Sequence, residues 1–269
     1  MEIVVIIIFV LALLYLLAIR GRSGHPGLAE LKQWSYAHRG LHNQARPENS
    51  MSAFRAALDK GYGIELDVHL LKDGNLAVIH DSALKRTTGA EGKVEDLTTE
   101  ELTNYRLNGT QETIPQFRQV LDLFAGKAPL IVELKVDGSN YAALCEKTCA
   151  MLDAYQGAYC IESFDPRCVI WLKKHRPDII RGQLTENFFR SNSKLPWILK
   201  FILQTQIENF LGLPDFVAYK YADRRHFSNL LVRKFWGVQG VTWTIKSKNA
   251  YATAVREGWI PIFEGFEPN

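Results

Sequence analysis

The amino-acid sequence predicts a (β/α)₈ barrel of the TIM type, with a small insertion after its second strand and one N-terminal transmembrane helix before it. Three observations lead to this prediction. Strand-like runs alternate with helical ones, polar side chains gather where the strands end, and the amino terminus is an unbroken apolar run. The chain has 269 residues, 47% of them hydrophobic, and a net charge of +3. This composition excludes a disordered chain and is too balanced to indicate nucleic-acid binding.

Residues 3–19 form the apolar run IVVIIIFVLALLYLLAI. As a helix it would reach about 26 Å, close to the roughly 30 Å of a bilayer core. A cleaved signal peptide and a buried helix are the alternatives, but no basic residue precedes the run and no small-residue cleavage site follows it. Because Arg20 and Arg22 follow, we expect residues 1–22 to be an uncleaved single-pass anchor in the cell membrane, with the remaining chain in the cytoplasm. Residues 23–33 would be a tether, and 34–269 the barrel.

Nine strand-like runs follow in the sequence. The second and third are joined by Asp73-Gly74, a hairpin signal, so the third is an antiparallel addition and eight strands remain. Eight strand–helix units in about 240 residues fit a closed barrel. A doubly wound open sheet is the structural alternative, and it would place ligand groups at a switch point rather than around a ring. The nine runs are 34–38, 64–71, 76–80, 130–134, 159–164, 179–184, 216–221, 241–245 and 260–264.

Helix start signals lie between most of these runs. Asn49 or Ser50 caps a helix with apolar residues on one face, and Thr98 with Glu101 forms a capping box. Asp165 followed by proline opens another helix, and Ser247 caps the last one. The alternation of strands and helices therefore continues to the end of the chain.

Two carboxylates, Glu65 and Asp67, are the most informative polar pair. At positions i and i+2 of a strand they face the same side, where like charges would repel and one would take up a proton. A divalent cation removes this conflict, and Glu133 at another strand end completes an all-oxygen ligand set for Ca²⁺ or Mg²⁺, with Mn²⁺ as a further option. The alternative is that the strand carries its charged residues on a solvated outer face.

His38 and His80 each follow an apolar strand, which makes them candidates for the acid and base of a reaction at neutral pH. The alternative for either residue alone is an ordinary core or surface histidine. Arg39 and Lys135 add positive charge that would bind a phosphate. An ion pair with the carboxylates is their other interpretation, and both can hold at once.

The order of short motifs resembles that of the glycerophosphodiester phosphodiesterase family, with the features of a membrane-anchored bacterial member. The resemblance implies a (β/α)₈ barrel with an insertion, here residues 81–116. The motifs are HRG (38–40), PENS (47–50), ELD (65–67), KDG (72–74), VIHD (78–81), RTTG (86–89), DLT (96–98), ELK (133–135), SF (163–164) and WT (243–244).

The same resemblance implies hydrolysis of glycerophosphodiesters to an alcohol and glycerol 3-phosphate. His38 and His80 would be the catalytic pair, and Arg39 and Lys135 would hold the phosphate. Glu65, Asp67 and Glu133 would hold one divalent cation. Trp243 and Glu264 are candidates for the substrate pocket. Glu264 departs from the family pattern, in which the last strand usually ends in Thr-Asp.

Three other functions fit parts of the sequence. A lysophospholipase D would use the same chemistry on membrane lysophospholipids, and residues 195–213 are apolar enough to contact either a lipid surface or the barrel as core. A membrane-anchored binding protein would have lost a histidine or carboxylate, and none is missing. A phosphatidylinositol-type phospholipase C would also pair histidines, but the ELD and ELK motifs favour the phosphodiesterases.

Overall fold

A computed structural model describes residues 1–191 and 193–268. The strands are β1 Tyr36–His38, β2 Gly63–Leu70, β3 Leu76–Val78, β4 Leu130–Leu134, β5 Tyr159–Ser163, β6 Arg181–Thr185, β7 Phe216–Lys220, β8 Gln239–Ile245 and β9 Trp259–Phe263. The helices are α1 Glu2–Ala18, α2 Leu28–Leu31, α3 Met51–Asp59, α4 Lys85–Thr88, α5 Phe117–Phe124, α6 Tyr141–Leu152, α7 Pro166–His175, α8 Trp197–Thr205, α9 Asn209–Gly212, α10 Phe227–Trp236 and α11 Lys248–Arg256.

Eight parallel strands close into a barrel. Each of β4 to β9 pairs with its neighbours in order, and β1 pairs with both β9 and β2, which closes the ring. The predicted barrel is therefore confirmed, and the open doubly wound sheet is excluded because such a sheet would leave two unpaired edges. The strand β3 pairs antiparallel with β2, as the Asp73-Gly74 turn predicts.

The predicted strand positions differ from the structure by a few residues at their ends. The first begins at Tyr36 rather than at residue 34, and β3 ends at Val78, so that His80 follows it on a loop. Ser50 caps α3 by accepting a hydrogen bond from the Ala53 amide at 3.2 Å. Asp165 caps α7 in the same way, through the Arg167 amide at 2.9 Å. These caps explain why the helices start where the sequence indicates.

Side-chain alternation divides the core into two layers. Ile64, Leu66 and Val68 of β2 face outward into the layer between strands and helices, where Phe54 and Phe117 cover them. Their neighbours in the strand consequently point into the barrel. The interior is filled by residues such as Tyr36, Ile131, Phe216, Val241 and Ile260, and the short helix α2 contributes Leu28 and Leu31 to this interior cluster.

Between β3 and α5 the chain forms α4 and three short 3₁₀ turns, Val94–Asp96, Glu101–Asn104 and Leu107–Gly109. This segment has a small apolar cluster of its own, which includes Leu84, Val94, Leu102, Leu107 and Ile114. The cluster also contains Ala77 and Ile79 beside β3, so the segment is fastened to the hairpin at the carboxyl ends of the strands.

The apolar amino terminus is a helix, but the expected transmembrane helix is not supported. Among the described residues, no helix combines the length and the apolar character needed to cross a membrane. The reason lies in the end of the run, which packs on the barrel. The Tyr15 hydroxyl donates to the Thr205 carbonyl at 2.9 Å, the Trp236 indole donates to the Leu16 carbonyl at 2.8 Å, and Ile19 is fully buried.

The segment after α1 is held by Arg22. Its guanidinium lies 2.5 Å and 2.7 Å from the two oxygens of Asp215, which is itself fully buried, and it donates to the Pro177 carbonyl at 2.7 Å. The Arg22 amide also donates to the Pro214 carbonyl at 2.9 Å. Arg22 therefore binds the amino-terminal segment to the loops that precede β6 and β7.

Candidate active site at the carboxyl ends of the strands

Three buried carboxylates meet inside the barrel. Glu65 and Asp67 lie on β2, and Glu133 lies on β4, where it is paired in register with Asp67. Their exposed fractions are 3%, 0% and 7%, and one oxygen from each lies within 4.8 Å of the others. The interior position excludes the alternative in which these residues face solvent on the outside of the strand.

Positive charge surrounds this carboxylate cluster. The Lys135 ammonium lies 2.6 Å from Glu133 and 3.0 Å from Asp67, and the Arg39 guanidinium lies 3.3 Å from Asp67. Burial raises the pKa of Glu133 to about 7 and that of Glu65 well above its usual value. Burial acts in the same direction on Asp67, but Lys135 and its other cationic neighbours hold its pKa well below the usual value. Both interpretations of Arg39 and Lys135 remain compatible, since ion pairs with carboxylates leave these cations beside the same cavity.

The site is rich in acceptor oxygens, which fits a bound hard cation. Besides the three carboxylates, the Glu162 Oε2 and Asn49 Oδ1 atoms are buried without a hydrogen-bond donor among the described residues. Glu162 is 1% exposed on β5, pairs in register with Glu133, and lines the same cavity. Oxygen ligands of this kind suit Ca²⁺, Mg²⁺ or Mn²⁺, so the residues present fit the expected divalent cation.

Asn49 belongs to the site, although the sequence suggested only a helix cap. Its amide donates to Asp67 at 2.8 Å, and its backbone amide donates to the Arg39 carbonyl at 2.9 Å. The residue has a φ of 55°, a left-handed conformation that asparagine tolerates better than most residues. Ser50 supplies the helix cap instead. The signal in the sequence was the asparagine directly before a capping serine.

Each candidate catalytic histidine is held by a carboxylate. His38 Nδ1 lies 2.6 Å from Glu264 Oε2, and His80 Nδ1 lies 2.5 Å from Asp81 Oδ1. Both imidazoles line the cavity that Glu65 and Glu133 also line. Burial lowers the pKa of His38, and burial together with Lys135 lowers that of His80 to about 4. A carboxylate at Nδ1 fixes the ring and leaves Nε2 for proton transfer.

A second network supports the His80 side. Arg86 binds Asp81 and both oxygens of Glu48, the latter at 2.7 Å and 2.9 Å. Glu48 in turn accepts a hydrogen bond from Arg39 at 2.9 Å. Glu48 and Arg86 therefore connect Asp81, the carboxylate partner of His80, to the Arg39 guanidinium beside Asp67. The PENS and RTTG motifs contain these two residues, but local sequence does not reveal that they meet.

Trp243 and Glu264 occupy different places. Trp243 lines the cavity with Phe164, whose ring centroid lies 5.6 Å away, and a second cavity of about 460 Å³ shares Trp243 and is also lined by Lys220, Tyr221 and Lys246. Glu264 lies behind His38 instead, and its other oxygen is 3.1 Å from the Lys246 ammonium. The structure thus gives Glu264 the position of a partner of His38.

Comparison with known proteins agrees with this geometry. The model of the glycerophosphoryl diester phosphodiesterase family matches residues 38–258, which include every candidate site residue except Glu264. The chain belongs to this family. Its members are phosphoric diester hydrolases, so the resemblance that the motifs indicated is confirmed.

Related phosphodiesterases come from several organisms. A glycerophosphodiester phosphodiesterase of Bacillus altitudinis is 40% identical over 131 residues, 45% of this chain and 53% of its own. One from Caldanaerobacter subterraneus is 35% identical over 57% of this chain and 67% of its own. Lysophospholipase D GDPD1 of Rattus norvegicus is 32% identical over 64% of this chain and 54% of its own. The matched region thus spans about half to two thirds of the length of these relatives.

Solved structures show the same fold over most of the chain. An Oleispira antarctica phosphodiesterase in complex with the product sn-glycerol-3-phosphate has a TM-score of 0.71 at 22% identity, and the match covers 90% of this chain and 95% of that one. A Parabacteroides distasonis glycerophosphodiester phosphodiesterase has a TM-score of 0.68 at 21% identity, over 91% and 93%. Both likenesses establish the barrel fold of this family member.

Proposed function

We propose that the chain hydrolyses glycerophosphodiesters to an alcohol and glycerol 3-phosphate, with one divalent cation held by Glu65, Asp67 and Glu133. Family membership supports the reaction class, and a structural relative binds sn-glycerol-3-phosphate as its product. The observation that carries the proposal is the shared cavity. Two imidazoles, each backed by a carboxylate, line it together with two of the three clustered carboxylates.

The residues divide the reaction among themselves. Arg39 and Lys135 bind the phosphate oxygens, because their ion pairs with the carboxylates already place positive charge at the cavity. The cation, when bound, adds further stabilisation to the charge that develops on those oxygens. One imidazole accepts the proton of the nucleophile. The nucleophile is either water, which gives glycerol 3-phosphate directly, or the neighbouring glycerol hydroxyl, which gives a cyclic phosphate that water then opens to glycerol 3-phosphate. The other donates a proton to the leaving alkoxide as its bond to phosphorus breaks.

The assignment of acid and base is testable with two substrates. A glycerophosphodiester with a p-nitrophenol leaving group needs no protonation of that group, whereas a choline ester does. The variant that lacks the acid should therefore keep most of its rate on the p-nitrophenyl ester and lose it on glycerophosphocholine. The variant that lacks the base should lose both. Comparing His38→Ala with His80→Ala separates the roles, and equal retention by both variants would contradict paired acid–base catalysis.

The metal requirement is tested by glycerol 3-phosphate release from a panel of glycerophosphodiesters. We expect EDTA to abolish release and one of Ca²⁺, Mg²⁺ or Mn²⁺ to restore it. Metal analysis of the Glu65→Gln variant beside the parent chain shows whether the carboxylates hold the ion. Full activity of metal-free protein would contradict the proposal.

A second candidate is lysophospholipase D activity on membrane lysophospholipids. One observation favours it, a path of aromatic rings that runs from the cavity to the buried Phe188. The Trp243 ring contacts that of Phe164 at 5.6 Å, and Phe164 contacts Phe188 at 6.2 Å, shortly before α8. Such a path offers apolar contact to an acyl chain. A relative that covers 64% of this chain is named a lysophospholipase D.

The two substrate classes are separated by comparing kcat/KM for lysophosphatidylcholine and glycerophosphocholine. If lysolipid is the substrate, Phe188→Ser should lower kcat/KM for lysophosphatidylcholine and leave that for glycerophosphocholine nearly unchanged. Tyr105→Ser, a change at a half-buried ring on the segment between β3 and α5, is a control for loss of an aromatic ring away from the cavity. A chain that binds both compounds but releases neither glycerol 3-phosphate from glycerophosphocholine nor lysophosphatidic acid from lysophosphatidylcholine would instead be a non-catalytic binding protein.

A further inference from the structure

Exposed apolar side chains are concentrated in three stretches of the chain. Of the large apolar residues that the structure describes as exposed, all but Val255 lie in residues 1–17, 189–211 and 227–235. Single exposed apolar residues are normal on protein surfaces, but extended patches mark sites of interaction. These three stretches therefore need a common explanation.

The three stretches lie next to one another. The helix α10 packs against both α1 and α8. The Tyr15 ring of α1 lies 6.0 Å from that of Phe227 at the start of α10, and the Tyr15 hydroxyl binds the Thr205 carbonyl at the end of α8. We call this surface, formed by α1, α8 and α10, the apolar face. It is continuous on one side of the barrel.

The helix α8 shows that the barrel does not cover this face. Trp197, Ile198 and Phe201 are 70%, 52% and 50% exposed, and Thr205 is the buried residue of the helix. Of the two interpretations of residues 195–213, packing on the barrel as core therefore does not apply to these three side chains. An apolar helix surface of this size is stable in water only when something outside the domain covers it.

The charges around the apolar face are almost all positive. Arg20, Lys194, Lys200 and Lys234 border it, and none of them forms an ion pair with another described residue. The acidic residues within residues 1–20, 194–213 and 227–236 are Glu2 and Glu208, and Glu208 is buried. A partner that fits this face must therefore offer an apolar layer beside negative charge.

We propose that the apolar face rests on an anionic lipid surface, with α8 and α10 in the interface and the projecting residues of α1 in the same apolar layer. An anionic bilayer supplies both acyl chains and negative headgroups. A second copy of this chain fits less well, because a two-fold contact would bring the same basic border against itself. If the proposed function is correct, the lipid surface would also be the source of a lipid-borne diester.

Trp197 reports the contact directly, because its side chain is 70% exposed on α8, within the proposed interface. The full chain is mixed with vesicles of phosphatidylglycerol and phosphatidylcholine whose acyl chains carry bromine, which quenches tryptophan fluorescence at short range. The part of the quenching that disappears in Trp197→Phe belongs to Trp197. Trp171→Phe, on α7 outside the apolar face, is the matched control.

We expect the parent chain and the Trp171→Phe variant to show strong quenching that Trp197→Phe largely loses. Lys194→Gln together with Lys200→Gln should weaken binding to anionic vesicles at least tenfold. Lys127→Gln with Lys174→Gln, which removes two exposed lysines outside the apolar face, should not. Binding should fall with added salt and on vesicles of phosphatidylcholine alone.

Unchanged quenching in Trp197→Phe would overturn the proposal, because the exposed face of α8 would then be in water. A dimer in solution that Trp197→Ser abolishes, without quenching of Trp197 on vesicles, would assign the face to a second copy. None of these measurements depends on turnover. A chain that binds vesicles through Trp197 but releases no glycerol 3-phosphate would therefore refute the proposed function and leave this inference intact.

Discussion

Replacing Glu264 with glutamine should slow turnover by removing the negative charge behind His38. The carboxylate accepts a hydrogen bond from His38 at 2.6 Å, and this bond strongly lowers the pKa of Glu264. A hydrogen bond to a charged group contributes about 1.5–3 kcal/mol. Because the Glu264 side chain is 21% exposed and also pairs with Lys246, we expect the lower part of this range. The corresponding loss of rate is about 10- to 40-fold.

The loss should appear in kcat rather than KM, since Glu264 contacts the imidazole and not the cavity. Release of glycerol 3-phosphate from glycerophosphocholine at saturating cation measures both constants. The control is Glu267→Gln, which removes an exposed carboxylate, 42% exposed and paired with Lys60, three residues further along the chain. Full kcat in Glu264→Gln, or a loss confined to KM, would refute the view that Glu264 positions His38.

Three further changes should have measurable effects. Asp67→Asn should lower cation affinity and rate together, as followed by cation titration of activity, whereas loss of rate at unchanged affinity would contradict the ligand assignment. On glycerophosphocholine, whose leaving group needs a proton, His38→Ala and His80→Ala should each reduce turnover by about 10²–10⁴-fold at an unchanged circular dichroism spectrum. Burial raises the pKa of Glu208 from 4.5 to about 8, so the folded state keeps a proton that the unfolded state has lost, and stability falls as pH rises between those values. Glu208→Gln should remove this fall in stability, which amounts to about 5 kcal/mol in total. If the urea midpoints of the parent chain and the variant differ by the same amount at pH 5 and at pH 8.5, this prediction is wrong.

The barrel and the carboxylate cluster were predictable because both depend on local rules. Alternation along β2 places Glu65 and Asp67 on one face, and parallel neighbouring strands bring Glu133 beside them. The sequence alone therefore indicated that these three carboxylates meet, but it did not indicate Glu162, which pairs in register with Glu133 and lines the same cavity. It also indicated the two histidines, because each follows an apolar strand.

The partners of the histidines depend on contacts between distant parts of the chain. Glu264 lies 226 residues from His38, and only closure of β9 onto β1 brings them together. Sequence reasoning could place Glu264 at a strand end but could not say whether it faced the substrate or an imidazole. The sequence does not reveal the role of Asn49 for a related reason. An asparagine before a helix is typical of a turn, and the local sequence does not show that its side chain donates to the buried carboxylate of Asp67.

The amino terminus shows the opposite error. Hydropathy predicts one transmembrane helix from residue 3 to residue 19, because it carries no information on tertiary contacts. In the structure the last turn and Ile19 belong to the barrel, held by Trp236 and Asn209. Arg22, which the sequence presents as a flanking charge, forms an ion pair with the buried carboxylate of Asp215.

The fastening of residues 19–31 has a mechanical consequence. If residues 19–27 were a flexible linker, the root-mean-square distance between its ends would be about 17 Å, and the barrel could rotate freely relative to α1. Arg22 and the docking of Leu28 and Leu31 in the barrel interior remove that freedom. The opening of the active site therefore keeps a fixed distance and a fixed orientation relative to α1. If α1 contacts a surface, the active site would lie at a fixed distance from that surface. The enzyme would then select substrates by the distance of their scissile bond from the surface as well as by affinity.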